Sequence, residues 1–168
     1  MGGMHCRSLL VLAWLGLSAS CFAHESLPVV TQVIVHKSER RLMLMQGDQV
    51  LRSYHAALGL APTGDKQSEG DFRTPEGHYL LTRRNPRSNY FLSMLVSYPN
   101  DLDRADARKL GMRPGGAIMV HGLPNDLRKP MDYYSTKDWT NGCIALSNSD
   151  MIEFWLLVKS NTPIDIQP

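Results

Sequence analysis

The chain has 168 residues, of which 43% are hydrophobic and 20% charged, and its formal net charge at pH 7 is +2. This composition is typical of one globular domain and excludes a disordered or fibrous protein. A near-neutral chain without a basic stripe also gives no support for nucleic-acid binding. The three cysteines need a separate explanation, because their positions decide which chemistry the chain can perform.

Residues 1–23 are predicted to be a secretory signal peptide and not part of the fold. Arg7 supplies a short positive segment. The apolar run Leu9–Leu17 is too short to cross a bilayer, which needs roughly 20 residues. Cys21 and Ala23 then offer the small side chains that a cleavage site requires. We therefore expect an exported, periplasmic protein of the bacterial cell envelope, with no membrane span left after cleavage.

The cysteines can be sorted by this cleavage. A lipoprotein anchored through Cys21 is an alternative, although Ser18 occupies the position where a lipobox normally has leucine. Cleavage after Ala23 would remove Cys6 and Cys21 and leave Cys143 alone. A single cysteine cannot form an internal disulfide, so Cys143 is either a buried structural residue or a nucleophile.

The remainder of the chain is rich in short runs of β-branched and aromatic residues bounded by turn signals, a pattern typical of strands. Gly47-Asp48 is a two-residue hairpin signal between the second and third of these runs. The predicted strands cover residues 29–35, 42–45, 49–58, 78–82, 90–97, 117–120 and 164–166.

The first of two predicted helices follows the fifth strand. Asn100 or Asp101 can cap a short helix that runs to about Leu110, and Gly111 provides its stop. The segment 123–137 is polar and contains two prolines, so it is predicted to be a loop.

The second predicted helix is capped by Asn148. Its apolar face would be formed by Ile152, Trp155 and Leu156, which have helical spacing. Many short strands with only two helices, without a repeat or linker, indicate a mainly β fold and a single domain over residues 28–168.

The surroundings of Cys143 favour the nucleophile. Gly142, which directly precedes Cys143, allows the backbone to approach a ligand closely or to adopt a conformation barred to other residues. An unperturbed thiol is mostly protonated at neutral pH and needs a base, and a nearby imidazole can take its proton. Among the histidines after residue 23, only His121 ends an apolar strand and precedes a glycine, Gly122. Alone, His121 is more typical of a hydrogen-bonded core histidine. No metal is predicted, because one cysteine is too few for a structural zinc site and no His/Cys pair has zinc-finger spacing.

Together, these two motifs resemble a known family. Val120–Gly122 followed by Thr140–Ile144 is similar to the signature of the YkuD-type L,D-transpeptidases. The resemblance extends over roughly residues 28 to 168 and implies a mainly β domain, sandwich-like or barrel-like, with two short helices. The further segments that carry it are 37–38, 41–42, 57–59, 70–77, 97–100, 114–116 and 162–164.

The resemblance implies a cysteine-dependent acyltransferase of peptidoglycan biosynthesis, with roles in cell wall organisation and cell shape. Cys143 would attack the carbonyl of the L-centre of meso-diaminopimelate in a tetrapeptide stem and release D-Ala. A second stem's side-chain amine would resolve the thioester and form a 3→3 cross-link. His121 would act first as base and then as acid, and no cofactor is expected.

The resemblance also suggests supporting residues. Backbone N–H groups near Gly142 and Cys143 would hold the oxyanion. Gly122 and Asn141, which lie within the two motifs, are further candidates to support the substrate, and Asn141 could orient His121 or donate to the substrate. Arg73 lies in a segment shared with the family and is predicted to bind stem-peptide carboxylates. Trp139 borders the cysteine loop, where it would line a substrate cleft or pack beneath a lid.

Three features depart from the usual family pattern. Asn141 replaces a common histidine, Ala145 replaces a common arginine, and the stretch between His121 and Cys143 is longer than usual, which suggests a different lid. These departures leave the acyl acceptor open. If water or another amine resolves the thioester, the protein would be an L,D-carboxypeptidase, an amidase or a lipoprotein-anchoring enzyme. A non-catalytic peptidoglycan-binding module is the remaining alternative.

Overall fold

The computed structural model describes residues 1–2 and 28–168. The predicted signal peptide, including Cys21, therefore lies almost entirely outside the described residues, which contain no helix long and apolar enough to cross a membrane. Residues 28–168 form eight strands and three helices. In chain order these are β1 Gln32–His36, β2 Arg41–Gln46, β3 Gln49–His55, β4 Gly77–Ser88, β5 Phe91–Val96, α1 Asp101–Lys109, β6 Met119–His121, α2 Met131–Thr136, β7 Ile144–Ala145, α3 Asn148–Leu157 and β8 Thr162–Gln167.

All eight strands belong to one sheet with the order β3-β2-β1-β8-β4-β5-β6-β7. The β1–β8 and β6–β7 pairs are parallel and the others are antiparallel. Just beyond β3, Ala57 exchanges two backbone hydrogen bonds of 2.9 and 2.8 Å with Ala145 of β7. The two ends of the sheet therefore meet, which confirms the predicted mainly β, barrel-like domain.

Strand alternation places the core inside this curled sheet. In β1, Val33 and Val35 are fully buried, and in β2 Leu42 and Leu44 are too. Because successive side chains of a strand point to opposite faces, these residues line a single face. The predicted hairpin is confirmed between β2 and β3. Strand β4 is longer than predicted, because polar residues 83–88 also pair with β5, with register shifts.

Helix α3 packs on the sheet by a different face from the predicted one. Met151 and Phe154 are fully buried, whereas Ile152 is 47% exposed and Leu156 69% exposed. Trp155 is only partly buried. The predicted face is wrong because the helix is apolar on several sides, so helical spacing alone does not select the one that meets the core.

The start of α3 also differs in detail. Ser147 is the N-cap, and its hydroxyl accepts a hydrogen bond of 3.1 Å from the Asp150 N–H. Asn148, the predicted cap, is the first helical residue. Its Oδ1 instead accepts a bond of 2.8 Å from the Leu123 N–H. Asn148 therefore ties the beginning of the segment 123–137 to the fold.

The other two helices give one confirmation and one correction. Asn100 caps α1 as predicted, and its side chain accepts bonds from the Leu102 and Asp103 N–H groups. The segment 123–137 was predicted to be a loop, yet it contains α2, so the domain has three helices. This helix has no side-chain cap, and its buried residue is Tyr134. A helix this short depends on tertiary packing, which its polar sequence does not reveal.

Candidate active site

His121 is held by strands on both sides. It is the last residue of β6, opposite Ser93 of β5 and level with Ala145 of β7. Its carbonyl accepts a bond of 2.9 Å from the Leu146 N–H, and its side chain is buried. The main chain of the sheet therefore determines where the imidazole lies.

The His121 ring has a defined tautomer. Its Nδ1 lies 2.6 Å from the carbonyl oxygen of Gly122. Since a carbonyl oxygen only accepts, Nδ1 must donate, and Nε2 of the neutral ring is left as a proton acceptor. Burial lowers the pKa of His121 to about 4, so the ring is neutral at neutral pH. A side chain at Gly122 would collide with Asn148 Oδ1, which lies 2.6 Å from the Cβ position.

Cys143 lies in a tight turn before β7. The Thr140 hydroxyl donates to the Cys143 carbonyl at 2.7 Å and accepts from the Gly142 N–H at 3.0 Å. Gly142 has a φ of 125°, and a Cβ there would lie 2.6 Å from the Arg73 carbonyl oxygen. Both the conformation and the space therefore require glycine before the cysteine.

The Cys143 thiol is in its protonated form at rest. It is the one cysteine among the described residues, and it is partly buried. Its Sγ lies 3.7 Å from the Ala117 carbonyl oxygen. Burial raises the pKa of the Cys143 thiol above its ordinary value. The thiol and the imidazole are thus both neutral before the reaction begins.

Cys143 and His121 line the same cleft, which has a volume of about 200 Å³. Asn141 and Trp139 also line it, so four of the residues predicted from the sequence come together. The structure brings together a thiol and a neutral imidazole whose free nitrogen can accept a proton. The remaining lining residues are Tyr90, Met119 and Thr140.

Arg73 lies elsewhere. It is not among the residues that line the cleft, and its Nη1 donates to the Asp65 carbonyl at 3.1 Å. Its backbone carbonyl, rather than its guanidinium, faces Gly142. Arg73 therefore meets the cysteine turn through its main chain, while its guanidinium is bonded to Asp65.

An ion pair that sequence analysis missed clamps the segment leading to Cys143. The guanidinium of Arg40 donates to Asp138 Oδ2 at 3.0 and 2.9 Å, and Asp138 Oδ1 accepts from the Leu58 N–H at 2.9 Å. Next along the chain, Thr140 exchanges backbone bonds of 3.0 Å with Leu58 and Leu60. No sequence signal links Arg40 with Asp138, because 98 positions separate them.

A row of aromatic rings, also missed, connects the imidazole with the segment 123–137, which we call the lid segment. The Tyr90 ring lies 4.5 Å from the His121 ring, and Trp139 lies 5.6 Å from it, centroid to centroid. Tyr134 of α2 packs edge-on against Trp139 at 5.1 Å. The lid segment therefore packs on the same aromatic rings that surround the imidazole.

Within residues 1–2 and 28–168, no group of three or more His, Cys, Asp or Glu side chains is placed to hold a metal ion. The reactive side chains that line the cleft are a candidate cysteine nucleophile and a candidate histidine base, beside strands β6 and β7.

Comparison with known families agrees with this class. The family model of the L,D-transpeptidase catalytic domain, YkuD, matches residues 31–166. The chain belongs to this family, as its sequence motifs predicted.

Similar proteins of known sequence are longer than this chain. The chain is 30% identical over 135 residues to YafK from Escherichia coli strain K12, and the match covers 78% of the chain and 47% of YafK. The chain thus spans about half the length of the curated relatives that it matches.

Solved structures share the fold. The helical cell shape determining protein Pgp2 from Campylobacter jejuni is 29% identical, with a TM-score of 0.61 over 82% of this chain and 47% of Pgp2. Bd1075 from Bdellovibrio bacteriovorus is 27% identical, with a TM-score of 0.55 over 82% and 48% of the two chains. An L,D-transpeptidase from Mycobacterium smegmatis, at 16% identity, has a TM-score of 0.54 over 82% and 58% of the two chains and supports the fold alone.

Proposed function

We propose that the protein is a peptidoglycan L,D-transpeptidase, with Cys143 as nucleophile and His121 as its base. One observation carries the proposal: the Cys143 thiol shares a cleft with an imidazole whose Nδ1 is committed to the Gly122 carbonyl. The only ring nitrogen left to accept a proton is Nε2. This arrangement is what acyl transfer through a thioester needs.

In the first half-reaction, Cys143 Sγ attacks the carbonyl carbon of the L-centre of meso-diaminopimelate. His121 Nε2 takes the thiol proton during the attack, because both groups are neutral beforehand. The Gly142 N–H already donates to Thr140, so we assign the Cys143 N–H to the developing oxyanion. The amide C–N bond then breaks, the imidazolium returns its proton to the leaving D-Ala amine, and a C–S bond remains.

In the second half-reaction, an amine of another stem attacks the thioester. His121 takes a proton from this amine and returns it to the thiol as the C–S bond breaks. One amide bond has been exchanged for another, so no energy source such as ATP is needed. A reaction without ATP suits a compartment outside the cytoplasm. We propose that the protein is periplasmic and is exported by the signal peptide at residues 1–23.

The cell wall as substrate is supported by the relatives. Pgp2 from Campylobacter jejuni is a helical cell shape determining protein, and it is 29% identical to this chain. Cell shape in bacteria depends on peptidoglycan. A similar role in cell wall organisation is therefore part of this proposal.

The test uses purified protein and tetrapeptide-rich muropeptides. Intact-mass spectrometry is expected to reveal an acyl adduct of the protein, and muropeptide analysis is expected to reveal 3→3 cross-linked dimers. The matched control is Cys143→Ala, which removes only the sulfur and is expected to give no adduct while keeping the thermal unfolding midpoint of the parent.

Other results would change the assignment. Tripeptides without dimers would assign water as the acceptor and make the protein an L,D-carboxypeptidase. Release or attachment of another amine would indicate an amidase or a lipoprotein-anchoring enzyme. The absence of both an adduct and any change in the muropeptides would reject the catalytic proposal in favour of a binding module.

A further inference from the structure

A second cleft adjoins the catalytic cleft. It has a volume of about 450 Å³, more than twice that of the first, and Tyr90 and Trp139 line both. Most of its remaining wall belongs to the lid segment. A peptide whose carbonyl lies at Cys143 can therefore extend past the Trp139 ring into this second cleft.

The Trp139 ring carries a buried hydrogen-bond donor, its Nε1 group. Its Nε1 is buried and has no acceptor among the residues that the structure describes. The ring is held by Tyr90, stacked at 6.3 Å, and by the edge of Tyr134 at 5.1 Å. A buried unsatisfied donor is rare in native proteins and calls for an explanation. Tyr134 of the lid segment packs on this ring, so a ligand oxygen that satisfies the donor would displace part of that segment.

The charges of the second cleft favour an anionic oxygen. Two cations, Arg128 and Lys129, and one carboxylate, Asp126, line it. Arg128 is paired with Asp126 at 3.6 Å. Lys129 lies beside the ring of Tyr133, its Nζ 6.0 Å from the ring centroid. The cleft thus offers an excess positive charge in addition to the indole donor.

We propose that the second cleft binds a free carboxylate of the peptide substrate, with the Trp139 N–H as donor and Lys129 as the cation. This inference rests on the proposed function in taking the peptide to be a peptidoglycan stem. In such a stem the carboxylate is that of the D-centre of meso-diaminopimelate. Three methylene groups separate this centre from the L-centre, which is enough to cross one indole ring.

The Trp139 N–H can be observed directly. Protein with Cys143→Ala and nitrogen-15 in its indole rings is titrated with L-Ala-γ-D-Glu-meso-diaminopimelate-D-Ala while the indole resonances are recorded. We expect a saturable downfield shift of the Trp139 N–H. Trp155 serves as an internal control, since its ring lies under Arg84 at 4.0 Å on α3 and its resonance should stay in place. The variants Trp139→Phe and Trp155→Phe assign the two signals.

Two matched comparisons test the carboxylate. The same tetrapeptide with L-lysine in place of meso-diaminopimelate lacks only that carboxylate, and we expect its dissociation constant to be about tenfold higher or more. Lys129→Ala, at an exposed position, should bring the two dissociation constants within about threefold of each other. Trp139→Phe should weaken binding of the diaminopimelate peptide, and Trp155→Phe should not. Thermal unfolding checks that each variant is folded.

The outcomes separate this inference from the proposed function. A Trp139 resonance that stays in place at saturation, equal affinity for the two peptides, or no binding at all would overturn the inference. If Cys143 of the parent protein is acylated equally fast by both peptides, the proposed function stands and the inference falls. If the diaminopimelate peptide binds selectively and moves the Trp139 resonance without any acyl adduct, the inference stands and the proposed function falls.

Discussion

The sheet edge that carries His121 and Cys143 and the lid segment 123–137 both pack on the Trp139 ring, but different interactions hold them. The sheet edge is fixed by main-chain bonds from β6 to β5, between β6 and β7, and to residues 57–60. The lid segment is tied down near its start by Asn125, whose N–H donates to the Asn89 carbonyl at 3.0 Å. Residues 125–132 are exposed.

This difference separates two tasks. Main-chain bonds within a closed sheet hold the thiol and the imidazole in one geometry regardless of the substrate. The lid segment depends on Tyr134 and a few polar contacts, so it belongs to the less stable parts of the molecule, which open more readily. We therefore expect substitutions at the sheet edge to change the reaction rate or global stability, and substitutions in the lid segment to have smaller effects on both.

The largest expected effect is that of His121→Gln on acylation. Glutamine keeps a polar side chain at this position but cannot accept the thiol proton, so the rate of acyl-enzyme formation should fall about 100- to 10,000-fold. Time-resolved intact-mass spectrometry measures it. His55→Gln, an exposed position in β3, is the matched control and should leave the rate unchanged. A parent-like rate in His121→Gln would assign the base to another group.

Next comes the dependence of stability on pH. Burial lowers the pKa of His121 from 6.5 to about 4, so the unfolded chain takes up this proton at a higher pH than the folded chain. The contribution of His121 to the free energy of unfolding is fully present above pH 6.5. It is lost as the pH falls towards 4, a decrease of about 3 kcal/mol. Urea unfolding at both ends of this range measures the loss. The parent should lose more than His121→Gln, and equal losses would contradict a neutral buried imidazole.

The Arg40–Asp138 clamp has a smaller expected effect. Asp138→Ala leaves the Leu58 N–H and the Arg40 guanidinium without their acceptor, which should lower the free energy of unfolding by about 1–3 kcal/mol. Asp106→Ala is the control, since Asp106 forms an exposed pair with Lys109 and should change stability by less than about 0.5 kcal/mol. If the two variants are equally stable, the clamp does not hold the segment before Cys143.

The smallest expected effect lies in the lid segment. The Tyr134 hydroxyl accepts a bond of 3.2 Å from the Arg128 N–H. Tyr134→Phe removes this acceptor but keeps the ring on Trp139, so stability should fall by about 1 kcal/mol or less. Tyr133→Phe, one position earlier, should change stability even less. A loss from Tyr134→Phe as large as that from Asp138→Ala would mean that the lid segment is held as firmly as the sheet edge.

Much of the fold was predictable because its signals are local. Alternating apolar residues mark β1 and β2, the Gly47-Asp48 turn joins β2 to β3, and Asn100 caps α1 as predicted. The catalytic candidates were also found locally, since His121 ends an apolar strand and Cys143 follows a glycine. The family resemblance then connected two motifs that spacing alone leaves separate.

The errors concern features that depend on contacts between distant residues. Helix α3 carries enough apolar residues for two faces, and only its position on the sheet selects Met151 and Phe154 for burial. Helix α2 was missed because its packing against Trp139, rather than its sequence, stabilises it. Asn148 is a typical helix-capping residue in sequence, yet its side chain accepts a hydrogen bond from the Leu123 N–H.

The sequence by itself determined a mainly β domain and the pair Cys143 and His121, because strand alternation and short motifs act over a few residues. Only the tertiary structure decided the protonation state of these two side chains and the residues around them. The closure of the sheet buries the imidazole beside the Gly122 carbonyl, which sets its tautomer and lowers its pKa. The tertiary structure also placed the Arg73 guanidinium on the Asp65 carbonyl, and it left the Trp139 N–H without an acceptor among residues 1–2 and 28–168. Burial of this kind arises from residues far apart in the chain, and no local pattern records it.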